Sequence, residues 1–159
     1  GTGEIAEMVQ GKSQASLYKI NSPHRTSSTK IRHTQSKYLK GIKEHTKTAV
    51  SIHGHNRKGE NMEKTIYVTG QNKKLSKKIA SELEAKLGKM YKVENNPEKT
   101  PKNMRGVSDY NIVNKFEGKG VQVELPKELR EIEAHKKYAA DSISKALENK
   151  KEGKYKKAA

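Results

Sequence analysis

Hydrophobic and polar residues alternate strictly in the stretch VQVEL at positions 121–125, and this pattern predicts a short β-strand. Its apolar side chains lie on one side of that strand: Val121, Val123 and Leu125. Gln122 and Glu124 lie on the other side. Pro126 ends the strand, because proline has no N–H to donate to a neighbouring strand and suits the first turn of a helix. Glu124 is therefore predicted near the carboxyl end of a strand, on its polar side.

Elsewhere along the chain, segments whose apolar residues have helical spacing are interspersed with short apolar runs typical of strands. Apolar residues at helical spacing predict helices at 2–10, 36–45, 75–87 and 127–148. Short apolar runs predict strands at 16–20, 30–34, 48–53, 65–69 and 91–93. Gly11 and Gly88 are the expected stops of the first and third helices. Strands that alternate with helices are typical of an α/β domain, with a mixed, mostly parallel sheet flanked by helices. We expect one domain at 1–148 and a basic tail at 149–159.

Two residues with useful chemistry fall at the carboxyl ends of predicted strands, His53 and Glu124. Functional groups of α/β sheets collect at that edge, so we expect these two side chains to lie together. On the residues alone the structural alternatives stay open. A carboxylate at a strand end is often only solvated, and a histidine in a strand often only packs against its neighbours.

Three segments, in order along the chain, carry a resemblance to a known family. They are GTGEIAEMVQGKSQASLY at 1–18, AVSIHGH at 49–55, and NIVN at 111–114 with GVQVELP at 120–126. These resemble segments of the poly-γ-glutamate hydrolase family, zinc peptidases of phages, prophages and bacteria. The resemblance runs from Gly1 to about Asp141. It implies a zinc-carboxypeptidase-like fold and hydrolysis of the γ-amide bonds of poly-γ-glutamate.

The same resemblance implies roles for single residues. His53 matches a zinc ligand of the family, and Glu124 matches the glutamate expected to act as general base. Asn114 matches a position that contacts substrate. Lys115 stands where the family usually has arginine, a change that keeps the charge but loses the bidentate geometry. His55 shares a strand face with His53 and is an alternative ligand, although the Gly54 that separates them predicts that the chain has already turned.

Family members also carry an HGGxIE segment immediately before Gly-Thr, and it supplies two further zinc ligands. The sequence here begins at Gly1-Thr2. We therefore expect a domain that is incomplete at its N-terminus, lacks the first strand and the metal loop, and is inactive alone. Cysteine is absent, so any metal is held by histidine, aspartate or glutamate.

The net charge of the chain is compatible with more than one class of partner. Lysine and arginine total 34 against 18 acidic residues, for a net charge of +16. Such a surface attracts nucleic acid, and it attracts poly-γ-glutamate equally well; it also fits a lysine-rich proteome with no polyanionic partner. Three functions thus remain open: a poly-γ-glutamate hydrolase, a nucleic-acid-binding accessory protein, and a homologue that has lost its chemistry. No apolar run approaches the roughly 20 residues that span a membrane, and no signal peptide is visible. We expect a monomer without a membrane partner, which is either made in the host cytoplasm and released on lysis or extracellular.

Overall fold

The computed structural model describes residues 1–19, 36–59 and 61–148, and these contain four strands and five α-helices. The strands are β1 (Ala49–His55), β2 (Thr65–Gly70), β3 (Lys92–Glu94) and β4 (Gly120–Pro126). The helices are α1 (Thr2–Ser13), α2 (Lys37–His45), α3 (Lys73–Leu87), α4 (Lys127–Glu131) and α5 (Glu133–Leu147). Short 3₁₀ helices interrupt the connections at Met62–Lys64, Pro97–Lys99, Lys102–Met104 and Ile112–Lys115.

The strands form one sheet in the order β1-β4-β2-β3. β4 is parallel to β1, β2 is parallel to β3, and β4 and β2 are antiparallel where they meet in the middle of the sheet. The sheet is therefore mixed and mostly parallel, as predicted. The strand with the strict alternation, β4, occupies a central position, with a neighbour on each side.

One face of the sheet is apolar and carries the hydrophobic core. Val121, Val123 and Leu125 of β4 are fully buried on this face. They join a cluster with apolar residues of α1, α3 and α5, which include Ile5, Leu83 and Ile143. Each such side chain contributes roughly 1.5–3 kcal/mol through burial. This face therefore supplies most of the stabilising contacts of the domain.

Two predicted helix boundaries were wrong. α1 continues through Gly11 to Ser13, and the following residue, Gln14, adopts the left-handed conformation with φ 57°. Glycine is tolerated inside a helix at a cost of about 1 kcal/mol, so Gly11 alone does not end this one. The predicted helix at 127–148 is divided at Ile132, which is extended. The break lets α4 contact the ends of β1 and β4 before α5 turns to pack on α1 and α3.

The predicted strand at 16–20 is also wrong for the described residues 16–19, which contain no strand. Here Leu17 is 37% exposed, so the apolar residue that suggested a strand is not buried against the sheet. Other predicted strands match β1 to β4 within two residues, and the helices at 36–45 and 75–87 match α2 and α3. The predictions for 30–34 and for the tail at 149–159 lie outside the described residues. In the part of the chain that is described, no helix is both long and apolar enough to cross a membrane.

Candidate active site

Glu124 lies in a row of three side chains that crosses the middle of the sheet. The parallel register aligns it with His53 of β1, and the antiparallel register aligns it with Tyr67 of β2. Residues aligned on neighbouring strands project from the same face. All three therefore lie on the face opposite the apolar core, and the predicted proximity of His53 and Glu124 is confirmed.

The Glu124 carboxyl is buried, with only 5% of the residue exposed. Burial raises its pKa to about 7, although a hydrogen bond from Gln122 and the positive charges of Arg130 and Arg57 act in the opposite direction. A carboxyl group with a pKa near neutrality is suited to accept a proton and then to release it. The alternative that Glu124 is only a solvated outward residue does not fit its burial.

A chain of amide hydrogen bonds holds this carboxyl in place. Gln122 Nε2 donates to Glu124 Oε1 at 2.8 Å and to the Met104 carbonyl at 3.3 Å. Gln122 Oε1 in turn accepts from Asn111 Nδ2 at 2.7 Å. These bonds fix which way the Gln122 amide points and so orient Glu124. The alternation in the sequence places Gln122 on the polar side of the strand with Glu124, but no pattern in the sequence indicates this role for it.

His53 is half-buried beside Glu124, and burial lowers the pKa of its imidazole. The ring is therefore neutral at neutral pH, which is the state that binds metal. Its nitrogens make no hydrogen bond with any described residue. The described residues contain no group of three histidine, cysteine, aspartate or glutamate side chains able to hold a metal ion. Within them, His53 fits zinc as a single ligand and not as part of a complete site.

His55 shares the face of His53, because β1 continues to His55 and does not turn at Gly54 as predicted. Both of its ring nitrogens are used. Nε2–H donates to the Thr65 carbonyl at 2.8 Å, and Nδ1 accepts from the Arg57 backbone N–H at 3.3 Å. The imidazole thus has no free lone pair for a metal. It joins the end of β1 to the start of β2.

Arg130 of α4 covers the carboxyl ends of the two parallel strands. Its Nε donates to the Leu125 carbonyl at 3.1 Å, and its Nη2 donates to the His55 carbonyl at 3.0 Å. A Cβ at Gly54 would lie 2.5 Å from the guanidinium carbon, so only glycine leaves room for this arrangement. Gly1 lies beside the same arginine, since a Cβ placed on it would be 3.8 Å from Arg130 Nη1. The start of α1 is therefore at this edge of the sheet.

The structure places Asn114 and Lys115 at the other end of β4. Asn114 is buried, and its Nδ2 donates to the carbonyls of Gly106 and Ser108, both at 2.8 Å. Its Oδ1 accepts from the backbone N–H of Gly120, the first residue of β4, at 3.3 Å. Glu124 is four residue steps along the strand from Gly120, a distance of roughly 13 Å at about 3.3 Å per residue.

Lys115 is exposed beside this point, with its ammonium 5.7 Å from the centre of the Tyr110 ring. Asn114 of the NIVN segment and the following Lys115, which the resemblance assigned to substrate, are therefore not next to His53 and Glu124. Whether they contact substrate stays a prediction.

Comparison with known proteins gives the family. A family model described as poly-gamma-glutamate hydrolase matches residues 1–155. The chain belongs to the poly-γ-glutamate hydrolase family. Its fold is similar to the structure of a bacteriophage poly-γ-glutamate hydrolase, with a TM-score of 0.69 and 22% identity over 92% of this chain and 75% of that chain. It is also similar to the zinc-free apo form of YNDL, with a TM-score of 0.56 and 17% identity over 72% of this chain and 59% of that one. No curated protein matches.

Proposed function

We propose that the polar face of this sheet hydrolyses the γ-amide bonds of poly-γ-glutamate, with Glu124 as general base and His53 as a zinc ligand. The observation that carries the proposal is the pairing of a buried carboxyl group, whose pKa is about 7, with a neutral imidazole on the adjacent parallel strand. The chain's membership of the poly-γ-glutamate hydrolase family supports the same reaction.

Glu124 has two tasks in this reaction. As the carboxylate it takes a proton from the attacking water, and as the acid it passes that proton to the leaving nitrogen. A pKa of about 7 suits both steps, since the group is then partly ionised at neutral pH. Gln122 keeps the carboxyl directed by donating to Oε1. When bound, zinc supplies Lewis acidity, which makes water more acidic and polarises the scissile carbonyl.

We also propose that the described residues hold zinc only weakly by themselves, because on this face they offer one imidazole with free nitrogens, whereas a catalytic zinc has three protein ligands. The family's HGGxIE segment, placed before Gly1, would add a histidine and a glutamate. The position of Gly1 beside Arg130 supports this proposal, because residues attached there begin at the edge of the sheet near His53.

For the substrate-binding residues we propose two different tasks. Asn114 shapes the site indirectly, since its hydrogen bonds go to three backbone groups. Lys115 attracts a carboxylate of the polymer at a distance from the scissile bond. A γ-linked residue has five backbone bonds and spans roughly 6 Å, so the estimated 13 Å along β4 corresponds to about two glutamyl units.

The test uses a chain extended by HGGxIE before Gly1. It is incubated with poly-γ-glutamate or with α-linked polyglutamate of equal length, with zinc or with a chelator, and chain length is followed on a gel. Both polymers carry one carboxylate per residue, so they control for charge. We expect shortening of the γ-linked polymer only, and only with zinc.

Two other results would overturn the proposal. Intact polymer combined with salt-sensitive binding of duplex DNA would support the alternative of a nucleic-acid-binding protein, which the net charge of +16 also allows. Intact polymer without DNA binding would support a homologue that keeps the fold but not the chemistry.

A further inference from the structure

Arg57 lies in the loop after β1, and its side chain reaches the segment around Asn103, which covers the polar face of the sheet. Its Nη2 donates to Asn103 Oδ1 at 2.8 Å, a contact between residues 46 positions apart in the chain. Its backbone N–H donates to His55 Nδ1 at 3.3 Å. His55 is itself bonded to the start of β2, so the arginine is held at both its backbone and its side chain. These contacts place a directed guanidinium at the margin of the site.

The charge of this guanidinium is not neutralised by the described part of the chain. No described carboxylate forms an ion pair with Arg57, although nine ion pairs are present among the described residues. The side chain is exposed and spends one of its five N–H donors on Asn103. Asn103 precedes Met104, whose carbonyl accepts from the Gln122 amide. The same amide donates to Glu124, so the Arg57–Asn103 bond holds the guanidinium on the side of the sheet that carries Glu124. Its positive charge opposes the rise in the pKa of Glu124 that burial causes. The guanidinium is therefore on the polar face and has donors to spare.

We propose that Arg57, positioned by Asn103 and His55, binds the free α-carboxylate of the glutamyl unit next to the scissile amide. This inference rests on the proposed function, since it names the group that the site uses to recognise its substrate. Every unit of a γ-linked chain carries such a carboxylate, whereas an ordinary α-linked peptide has none on its backbone. A guanidinium binds a carboxylate through two parallel hydrogen bonds, a geometry that lysine lacks.

Arg130 is a weaker candidate for the same task. Its Nε and Nη2 are already committed to the carbonyls at the ends of β4 and β1, and it lies packed against Gly54. Lys115 is too distant, at the amino end of β4. Compared with Arg130 and Lys115, Arg57 thus combines exposure, a fixed position and unused donors on the polar face.

The test measures binding and needs neither zinc nor turnover. A fluorescent γ-glutamyl oligomer, and the same oligomer with its α-carboxylates converted to amides, are titrated with the chain in the presence of a chelator, and anisotropy gives Kd. The variants are Arg57→Ala, Arg57→Lys and Lys137→Ala. Lys137 is an exposed cation on α5, which packs on the apolar face, so its removal is a matched loss of charge remote from the site. Thermal melting verifies that each variant is folded.

We expect Arg57→Ala to weaken binding of the acidic oligomer about tenfold, Arg57→Lys to weaken it less, and Lys137→Ala to change it by less than about twofold. The amidated oligomer should bind weakly and equally to all four proteins. An Arg57→Ala effect no larger than that of Lys137→Ala overturns the inference. So does an equal effect of Arg57→Ala on both oligomers. A negative hydrolysis test combined with the expected binding pattern would reject the reaction and leave the carboxylate site standing.

Discussion

Alternate residues of the same strand give the two faces of the sheet opposite character, one apolar and one polar. On one face, β4 contributes Val121 and Val123 to a core closed by α1, α3 and α5. On the other, it contributes Gln122 and Glu124 to a row of polar groups that includes His53. Burial of apolar side chains on the first face stabilises the fold, whereas the second face buries polar groups that prefer water.

The difference shows where the protein accepts a loss of stability. A carboxyl group whose pKa is raised to about 7 resists ionisation in the folded state. Buried hydroxyl oxygens without a hydrogen-bond partner in the described structure occur on both sides of the sheet, at Ser51 and at Ser144 of α5, so they do not distinguish the faces. A buried carboxyl group departs from the rules of a stable core, and such departures occur at functional sites. The position of Glu124 therefore indicates the candidate chemistry independently of the family match.

The largest effect on stability is expected from the apolar face. Leu83 of α3 is fully buried in the core, so Leu83→Ala removes burial and leaves a cavity. We expect the free energy of unfolding to fall by about 2–5 kcal/mol, measured by urea denaturation. The matched control is Leu17→Ala, because Leu17 is 37% exposed. Equal losses in the two variants would mean that the helices do not close a core on this face.

The next prediction is a gain in stability, and its size depends on pH. Burial raises the pKa of Glu124 from 4.5 to about 7, so between these values the folded state binds more protons than the unfolded state. Stability therefore falls as pH rises through this window and is constant above it. Glu124→Gln cannot ionise. We expect it to be more stable than the parent at pH 8, by at most about 3 kcal/mol, and to lose this advantage near pH 4.

Chemical denaturation across this pH range, with a chelator present, measures the effect. Glu117→Gln removes an exposed carboxylate and serves as the control. A parent and a Glu124→Gln variant with the same dependence on pH would show that the buried carboxyl does not strain the polar face.

The smallest effect concerns Ser51. Because its hydroxyl oxygen is buried without a partner in the described part of the chain, Ser51→Ala removes a group that is desolvated at a cost. We expect a gain of up to about 1 kcal/mol, measured as a rise in the midpoint of thermal unfolding, whereas the exposed Ser81→Ala should change little. Destabilisation by Ser51→Ala would reveal a partner for the hydroxyl.

Local patterns were enough to predict the two faces and the position of the central pair. The alternation in VQVEL separated Val123 from Glu124, and two strand ends pointed to the proximity of Glu124 and His53. Contacts between distant segments could not be predicted in this way. The bond from Arg57 to Asn103 and the two bonds of His55 depend on how the loops fold over the sheet, which periodicity does not encode.

The NIVN segment shows a second limit. The resemblance assigned Asn114 and the following Lys115 to substrate binding, without a distance from Glu124. The Asn114 side chain accepts from the backbone N–H of Gly120, so the segment is held at the amino end of the strand, far from Glu124. The turn between the segment and β4 decides this distance, and the motif does not encode it.

The most direct test of the account compares one residue from each face in the same reaction. The zinc-loaded chain extended by HGGxIE is assayed on poly-γ-glutamate as the parent, as Glu124→Gln and as Leu83→Ala, and each rate is divided by the folded fraction measured under the same conditions. The account predicts that Glu124→Gln stays folded and loses about 10²–10⁴-fold in rate, while folded Leu83→Ala keeps the parent rate. A Glu124→Gln variant that retains the parent rate would contradict the assignment of the polar face as the active site.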